Sequence, residues 1–264
     1  APGVAKSYGC GRDGDGDDGG DDDSWGNWTS GDDVRVYRLD DSGSSWLQWG
    51  EDIDGDAACD SSGYSVSLSA DGKTVAIGAK YAAGWTGQVR VYRIDSGGSS
   101  WKPLGQSIYG DNADDSFGAS VNISPDGNTL VIGSPGYERP GYVRVFSLES
   151  GDDLDTGNWR KIGEDIIGEA IGDMFGSSVS LSGDGKTLAV GAPSNDGNGM
   201  VLGQVRVYRM DDSSTSWTQV GEDIDGEASV DDSGWSVSLS ADGTTVAIGA
   251  PFNDYNGDQS GHVR

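Results

Sequence analysis

The residues best suited to chemistry are carboxylates, and their densest run lies near the start of the chain. The segment CGRDGDGDDGGDDDSWGNW places Asp13, Asp15, Asp17 and Asp21 at positions 1, 3, 5 and 9 of a calcium-loop spacing. Ca²⁺ takes carboxylate oxygens, so these four residues are the predicted metal site, with Ca²⁺ as the predicted cofactor. Asp18 stands where the turn needs Gly, and a disordered acidic segment is the alternative.

Two further chemical features concern secretion. Cys10 and Cys59 are the only cysteines, and both fall in loops expected to share one rim of the fold, so we predict a disulfide, with two free thiols as the alternative. Asn27-Trp28-Thr29 is a glycosylation sequon in an expected loop. Both features predict a secreted, extracellular or cell-surface glycoprotein.

Catalytic chemistry has little support in the sequence. The single histidine, His262, takes a position that Gln or Tyr holds in related stretches, which indicates an ordinary strand residue. No Ser/His/Asp set or phosphate-binding Gly loop occurs, and acidic pairs are too numerous for any one to stand out. We therefore expect a protein that is not an enzyme, with a polysaccharide-active enzyme as one alternative.

The charge narrows the choice of partner. The 264 residues carry 17 Lys+Arg against 44 Asp+Glu, a formal net charge of -27. This charge excludes nucleic acid and anionic membrane surfaces, because like charges repel. The sequence also lacks a run of 18 apolar residues, which excludes membrane insertion by a helix.

One stretch of the sequence occurs four times. It reads SVSLSADGKTVAIGA (65–79), SVNISPDGNTLVIGS (120–134), SVSLSGDGKTLAVGA (178–192) and SVSLSADGTTVAIGA (236–250). A second motif, VRVY or VRVF, begins at 34, 89, 143 and 205 and starts again as HVR at 262–264. A Trp follows each complete copy, at Trp46, Trp101, Trp159 and Trp217.

Each repeat predicts four short strands, which we call a to d in chain order. Strand a (SVSLS) and strand c (QVRVYRI) alternate as half-buried strands do, whereas strand b (TVAIGA) is apolar throughout and should lie inside the sheet. Asp-Gly between a and b predicts a tight hairpin with positive φ at both residues. The Tyr of strand c and the Trp of strand d should fill the space between sheets.

The repeat predicts the fold class and the domain organisation. We expect an all-β β-propeller of four-stranded antiparallel blades with about four repeats, either a small closed ring or an arc of a larger one. Residues 1–33 form an acidic Gly/Asp-rich insertion, and residues 34–264 form repeat units near 34–88, 89–142, 143–204 and 205–264. The chain opens and closes in mid-pattern, which we interpret as a processed piece or a fragment.

Four short motifs resemble a known family. Phe117-Gly118 followed by Gly133-Ser134-Pro135, and Phe175-Gly176 followed by Gly191-Ala192-Pro193, resemble the FG-GAP repeat of integrin α-subunit β-propellers. The resemblance covers residues 31–264 and implies an extracellular propeller used in adhesion or recognition. FG-GAP blades often carry a D-x-D-x-D-G-x-x-D calcium loop in the a–b hairpin. The sole carboxylates kept at those positions are Asp71, Asp126, Asp184 and Asp242, which we interpret as turn formers.

The preferred function is non-catalytic extracellular recognition or adhesion through an acidic loop face, assisted by calcium. The partner would be an extracellular protein or a glycan. The second hypothesis is a structural repeat protein that assembles into extracellular fibres or cell-wall material through blade edges. Arg35, Arg90, Arg144, Arg206 and Arg264 recur in strand c and should pair with loop acids, with binding of carboxylate or anionic sugar as the alternative.

Overall fold

Short antiparallel strands account for nearly all regular structure in the computed structural model, which describes residues 33–150, 157–196, 201–211, 213, 216–255, 257 and 259–264. The strands fall into five sheets, numbered here in chain order. Sheet 1 is β1 (Tyr37–Leu39) and β2 (Trp46–Gln48), and sheet 5 is β18 (Ser236–Leu239), β19 (Val246–Ala250) and β20 (His262–Val263). The prediction of an all-β fold is confirmed.

Sheets 2, 3 and 4 each hold the strands a to d in order, with a short fifth strand beside strand c. Sheet 2 is β3 (Ser62–Leu68), β4 (Thr74–Ala79), β5 (Gln88–Ile94), β6 (Trp101–Pro103) and β7 (Ile108–Tyr109). Sheet 3 is β8 (Ser120–Ile123), β9 (Thr129–Ser134), β10 (Tyr142–Ser150), β11 (Gly157–Lys161) and β12 (Ile166–Ile167). Sheet 4 is β13 (Ser178–Leu181), β14 (Thr187–Ala192), β15 (Gln204–Met210), β16 (Trp217–Gln219) and β17 (Ile224–Asp225).

Sheet 1 supplies strands c and d of a blade, and sheet 5 supplies a, b and the start of c. The five sheets therefore amount to four repeats of the blade unit, the arrangement of a β-propeller. Strand b is buried along its whole length in β4 and β14, as its apolar sequence predicts. The helix α1 (Ala82–Trp85) contains three residues with positive φ, so it is a turn in the b–c loop rather than a regular helix.

The a–b hairpins correct one prediction. In all four copies the Gly has positive φ, but the preceding Asp does not. The reason is the loop, which is longer than a two-residue turn: Ser69 N–H donates to the Thr74 carbonyl at 2.9 Å, and Gly72 N–H donates to the Ser69 carbonyl at 2.9 Å. Only the last turn residue, the Gly, needs the left-handed conformation in a loop of this kind.

The Asp of each hairpin forms the turn, as predicted. In the first copy its Oδ1 accepts from Ser69 Oγ at 2.7 Å and from Lys73 N–H at 2.9 Å. The same two contacts recur around Asp126, Asp184 and Asp242. A carboxylate that accepts these hydrogen bonds is stabilised in its charged form, and the pKa of all four carboxyls lies below the usual value.

The core lies between the sheets rather than inside any one of them. One cluster joins Val89, Val91 and Leu104 of sheet 2 to Val121 and Ile132 of sheet 3, and equivalent clusters fill the other spaces between successive sheets. A single sheet has two apolar faces, so each needs a neighbour on both sides.

The predicted role of the strand c aromatic and the strand d Trp as filler is confirmed for sheets 2 and 3. Tyr92, Trp101, Phe146 and Trp159 are buried. The prediction is wrong for sheet 1, where Tyr37 and Trp46 are exposed, Trp46 by 69%. Tyr92 and Trp101 pack on the preceding sheet, and among the described residues no sheet precedes sheet 1.

Glycines set the distance between successive sheets. A Cβ on Gly133, at the end of strand b in sheet 3, would lie 2.1 Å from the Gly176 carbonyl oxygen at the entry to sheet 4. Gly78 faces Gly118 and Gly191 faces Gly234 in the same way. Ser120 Oγ also donates to the Gly176 carbonyl at 2.8 Å, so a hydrogen bond fixes the contact.

Replacing Gly133 by Ala should therefore force sheets 3 and 4 apart. We expect a loss of about 3 kcal/mol in the free energy of unfolding, because two backbones would have to move. Gly249→Ala is the matched control. A Cβ on Gly249 would lie 2.3 Å from Oγ of Ser236, the counterpart of Ser120, but it would meet no carbonyl oxygen of a following sheet. Urea unfolding followed by tryptophan fluorescence measures both, and equal losses would contradict the proposed role of the inter-sheet contact.

Candidate functional site

Two kinds of loop meet at one rim of the propeller. The b–c loops and the loops between successive sheets touch through parallel bridges, Gly87 to Phe117 and Gly203 to Ser233. We call this surface the acidic rim, since it carries most of the loop carboxylates. Its described parts are 50–61, 80–87, 110–119, 135–141, 168–177, 193–196, 201–203, 226–235, 251–255, 257 and 259–261. The opposite surface, formed by the a–b hairpins and the c–d loops, is called the hairpin rim.

The recurring strand c arginines are held by carboxylates of the acidic rim. Arg144 donates to Asp165 Oδ1 at 3.0 Å and also contacts Asp111, so it joins the loop that enters sheet 3 to the turn between β11 and β12. Arg206 lies between Glu169 and Asp223 in sheet 4, in ion pairs whose N–H groups are not aligned with the oxygens. The predicted structural pairing is confirmed.

The other three copies repeat the pairing. Arg90 bonds Asp56 at 2.6 Å, Arg35 bonds Asp52 at 3.1 Å, and Arg264 lies 3.6 Å from Glu227. These arginines are therefore occupied by the chain's own acids, which disfavours the alternative that they bind an anionic ligand. The paired carboxylates are fixed in place and their charge is partly neutralised.

The best-defined electrostatic site is the one around Arg144. Burial raises the pKa of Asp165, but hydrogen bonds from Arg144 and Lys161 outweigh it, and the pKa lies below the usual value. Burial also raises the pKa of Tyr142 to about 12. The Arg144 guanidinium lies 4.7 Å from the Tyr142 ring centroid, so the cation is held by acids and by a ring face.

Three buried aspartates hold the acidic rim together. Asp115, Asp173 and Asp231 each accept a hydrogen bond at 3.0 Å from a backbone N–H three residues earlier. Asn195 Nδ2 donates to Asp173 at 2.9 Å and Asn253 Nδ2 donates to Asp231 at 2.8 Å, which fastens each b–c loop to the loop beside it. These carboxylates are internal and do not face a ligand.

The acidic rim also presents exposed aromatic side chains, which sequence reasoning missed. Tyr137 is exposed in the b–c loop of sheet 3, and Tyr255 in that of sheet 5 is exposed by 82%. Trp235 and Phe252 form an edge-to-face pair with centroids 6.1 Å apart. The available signal was an aromatic residue in the b–c loops of sheets 2, 3 and 5, in the texts GWTG, GYERPG and PFNDYNG.

Lys80 occupies the position that is Pro in the FG-GAP pattern. Its side chain contacts aromatic rings, which accounts for a Lys at this position. Its Nζ lies 3.6 Å from the Tyr64 ring centroid and 4.7 Å from that of Tyr81. Tyr81 in turn packs on Trp85 with centroids 4.5 Å apart. Lys80 thus organises an aromatic cluster on the acidic rim of sheet 2.

The sequence-predicted site residues are distributed as follows. Asp13, Asp15, Asp17, Asp21 and Asn27 lie outside the described residues, so the metal and glycosylation sites stay predictions. Cys59 is disulfide-bonded and Cys10 lies outside the described residues, so their pairing stays a prediction as well. His262 lies in β20, with its Nδ1 4.0 Å from Glu227 Oε2.

Calcium does not fit the hairpins. Each has a single carboxylate, and its Oδ1 is committed to a Ser hydroxyl and a backbone N–H. Across the part of the chain that the structure describes, no three His, Cys, Asp or Glu residues are grouped as metal ligands. Within the same residues, none of the helical structure is long and apolar enough to span a membrane.

Comparison with known proteins agrees with the geometry. Residues 168–208 match the FG-GAP repeat. This stretch is an FG-GAP repeat within a chain that has a β-propeller fold. The matched stretch holds the Phe175-Gly176 and Gly191-Ala192-Pro193 motifs, whose glycines form the inter-sheet contacts. A search of curated proteins found no match.

Solved structures resemble this chain in fold. Sqt1 from Chaetomium thermophilum is 19% identical over 79% of this chain and 44% of its own, with a TM-score of 0.50. A putative 6-phosphogluconolactonase from Bacteroides fragilis is 18% identical over 74% of this chain and 49% of its own, with a TM-score of 0.49. The chain thus spans about half the length of the solved proteins it resembles.

The Arg144 site generates a prediction on stability and pH. Arg144→Gln should lower the free energy of unfolding by about 1–3 kcal/mol at pH 7, because Asp165 loses its main charged partner. A carboxyl with a lowered folded pKa stabilises the fold above the usual value of 3.8 and loses that effect as pH falls through the folded pKa. The difference between wild type and variant should therefore narrow from pH 7 to pH 3.

The matched control is Arg160→Gln, which removes an exposed pair with Glu149 at 3.0 Å. A surface pair of this kind should contribute less than about 1 kcal/mol. Urea unfolding at both pH values measures the two variants. A difference for Arg144→Gln that stays constant between pH 7 and pH 3 would contradict the assignment.

Proposed function

We propose that this β-propeller is a non-catalytic recognition or adhesion module that acts outside the cell or at its surface. Its ligand, an extracellular protein or a glycan, would bind at the acidic rim. The observation that carries the proposal is the combination of exposed aromatic rings and carboxylates on one face, held by fixed ion pairs. Repeat propellers present such a loop surface on a rigid base of packed sheets.

The aromatic residues would supply the contact area. Tyr and Trp dominate the energetics of recognition surfaces because they bury a large, rigid area and keep one polar group. Tyr137 and Tyr255 are exposed in the b–c loops, and Trp235 stands close by Phe252 on the same rim. These rings have few partners of their own among the described residues, which favours a role in binding rather than in folding.

The carboxylates would select the ligand. Asp56, Asp111 and Glu169 are each about half exposed although an arginine contacts them. A negatively charged face attracts ligands that carry Lys or Arg and speeds their association at low ionic strength. The proposal therefore favours a protein ligand with a basic patch, or a glycan that offers hydroxyl donors.

Calcium enters the proposal only through Asp13, Asp15, Asp17 and Asp21. The hairpins do not supply a suitable donor set, and the carboxylates of the acidic rim are engaged by arginines. An ion held by those four aspartates would reduce the negative charge of the acidic insertion. No residue of the part of the chain that the structure describes is assigned to the ion.

The second candidate is assembly through the end sheets. In sheet 1 Tyr37, Leu39, Trp46 and Leu47 are exposed. In sheet 2 Val66 and Leu68 of strand a are exposed, whereas their counterparts in sheet 3, Val121 and Ile123, are buried against the preceding sheet. Apolar faces of this extent mark association sites, which favours self-association as the alternative.

The recognition proposal is tested on arrays of extracellular proteins and glycans at two salt concentrations. We expect retention that falls with salt, and a loss of at least tenfold in affinity for the double variant Tyr137→Ala, Tyr255→Ala. The control is Lys102→Ala, an exposed residue of β6 away from the acidic rim. Equal losses for the two variants, or concentration-dependent multimers with no retention, would refute the proposal, and the multimers would favour assembly.

The calcium part is tested by thermal unfolding in millimolar Ca²⁺, in chelator and in Mg²⁺. An ion that binds only the folded state raises the melting temperature by mass action. We expect a rise with Ca²⁺ alone and its disappearance in the variant Asp13→Asn, Asp15→Asn, Asp17→Asn. No rise in the wild type would remove calcium from the proposal and leave the aromatic rim unaffected.

A further inference from the structure

A cavity of about 630 Å³ opens on the hairpin rim between sheets 1 and 2. Its walls come from the c–d loop of sheet 2, the first two a–b hairpins and the end of strand c in sheet 1. The volume lies within the usual range for small-ligand sites, about 300–1,000 Å³. The cavity faces away from the acidic rim, so it is independent of the proposed function.

Basic side chains converge on this cavity in a strongly acidic protein. Arg38, Lys73 and Arg93 all line it. Arg93 Nε donates to Thr74 Oγ1 at 3.3 Å. Among the described residues, neither Arg38 nor Lys73 forms an ion pair with a carboxylate, whereas the strand c arginines of the acidic rim all do. Two charged groups are thus left available to a ligand.

Arg38 is held in position by an aromatic ring. Its Cζ lies 4.9 Å from the centroid of Trp49, which lines the same cavity. The Trp49 ring is in turn set edge-to-face against Trp101, with centroids 6.1 Å apart. A guanidinium held over a ring face loses less freedom on binding a carboxylate than one on an unrestrained side chain.

The repeats show that this combination is specific to one cleft. At the position of Trp49 the next three repeats have Leu104, Ile162 and Val220. In the cleft between sheets 2 and 3, Asn128 replaces Lys73 and Ser147 replaces Arg93. In the cleft between sheets 3 and 4, Ser147 lies on the other wall, where it replaces Arg38. Ancestry of the repeat therefore does not account for the cluster.

The cavity also offers acceptors. Asp71 lines it, and both hydrogen bonds that hold its carboxylate in the turn go to Oδ1, which leaves Oδ2 to a ligand hydroxyl. Asp95 and Asp126 line it as well, so the cationic and anionic side chains balance. A multiply charged phosphate or sulfate ester would be repelled by these carboxylates, whereas a ligand with one negative charge and several hydroxyl groups would not.

We propose that this cavity binds a saccharide that carries a carboxylate, of the hexuronic acid class. The guanidinium of Arg38 and the ammonium of Lys73 take the ligand carboxylate through charge-assisted hydrogen bonds. Asp71 Oδ2 accepts from a ring hydroxyl, and Trp49 provides the apolar wall against which the sugar ring lies. The molecule then has two binding surfaces, one on each rim.

The test is isothermal titration calorimetry of the whole chain with galacturonic acid, which carries one carboxylate, and with galactose as the neutral sugar. We expect binding of the acidic sugar, weakened by salt, and no binding of galactose. Arg38→Gln and Lys73→Gln should each weaken binding at least tenfold. Both residues are exposed, so the melting temperature of each variant should stay that of the wild type.

The matched controls are Arg209→Gln and Lys186→Gln, which hold the same repeat positions in sheet 4, where the neighbouring sheet offers Ile162 instead of Trp49. We expect both to bind like the wild type. Absence of binding, equal binding of galactose, or equal losses in the controls would overturn the proposal. Tighter binding of a tetraglutamate peptide would overturn the saccharide class. None of these results bears on the aromatic residues of the acidic rim.

Discussion

The rest of the structure depends on one contact between successive sheets. It joins the glycine that ends strand b of one sheet to the glycine that enters the next. A side chain at Gly78, Gly133 or Gly191 would overlap a carbonyl oxygen of the following sheet at 2.0–2.1 Å. This contact sets the spacing at the acidic rim, and the buried Phe117 and Phe175 stand directly before the entering glycines. The glycines of the FG-GAP motif thus allow successive sheets to pack closely.

The close approach of successive sheets explains the position of the acidic residues. Once successive sheets meet backbone to backbone, the b–c loops and the loops between sheets are forced onto one rim, side by side. Strand c brings an arginine to the same rim in every repeat. Arg144 and Arg206 each join the loop before their sheet to the turn before its short fifth strand. Without these cations, the carboxylates would repel one another at short range.

Features that depend on the repeat period could be predicted from the sequence, and features that depend on a particular neighbour could not. The buried strand b, the turn-forming aspartates and the paired arginines follow from residue type at a repeated position. The exposure of Tyr37 and Trp46 depends on what lies beside sheet 1, which periodicity does not encode. The φ of Asp71 depends on the length of the hairpin loop, which the Asp-Gly pair alone does not define.

The same distinction applies to the two candidate binding surfaces. The acidic rim can be predicted in outline because every repeat contributes acids to it, but its aromatic residues vary from loop to loop. The cavity on the hairpin rim arises from departures from the repeat: Trp49 replaces an aliphatic residue, and Arg38 and Lys73 meet from different sheets. In a repeat protein the shared positions maintain the fold, so the positions that break the repeat are where specific binding can develop without loss of packing.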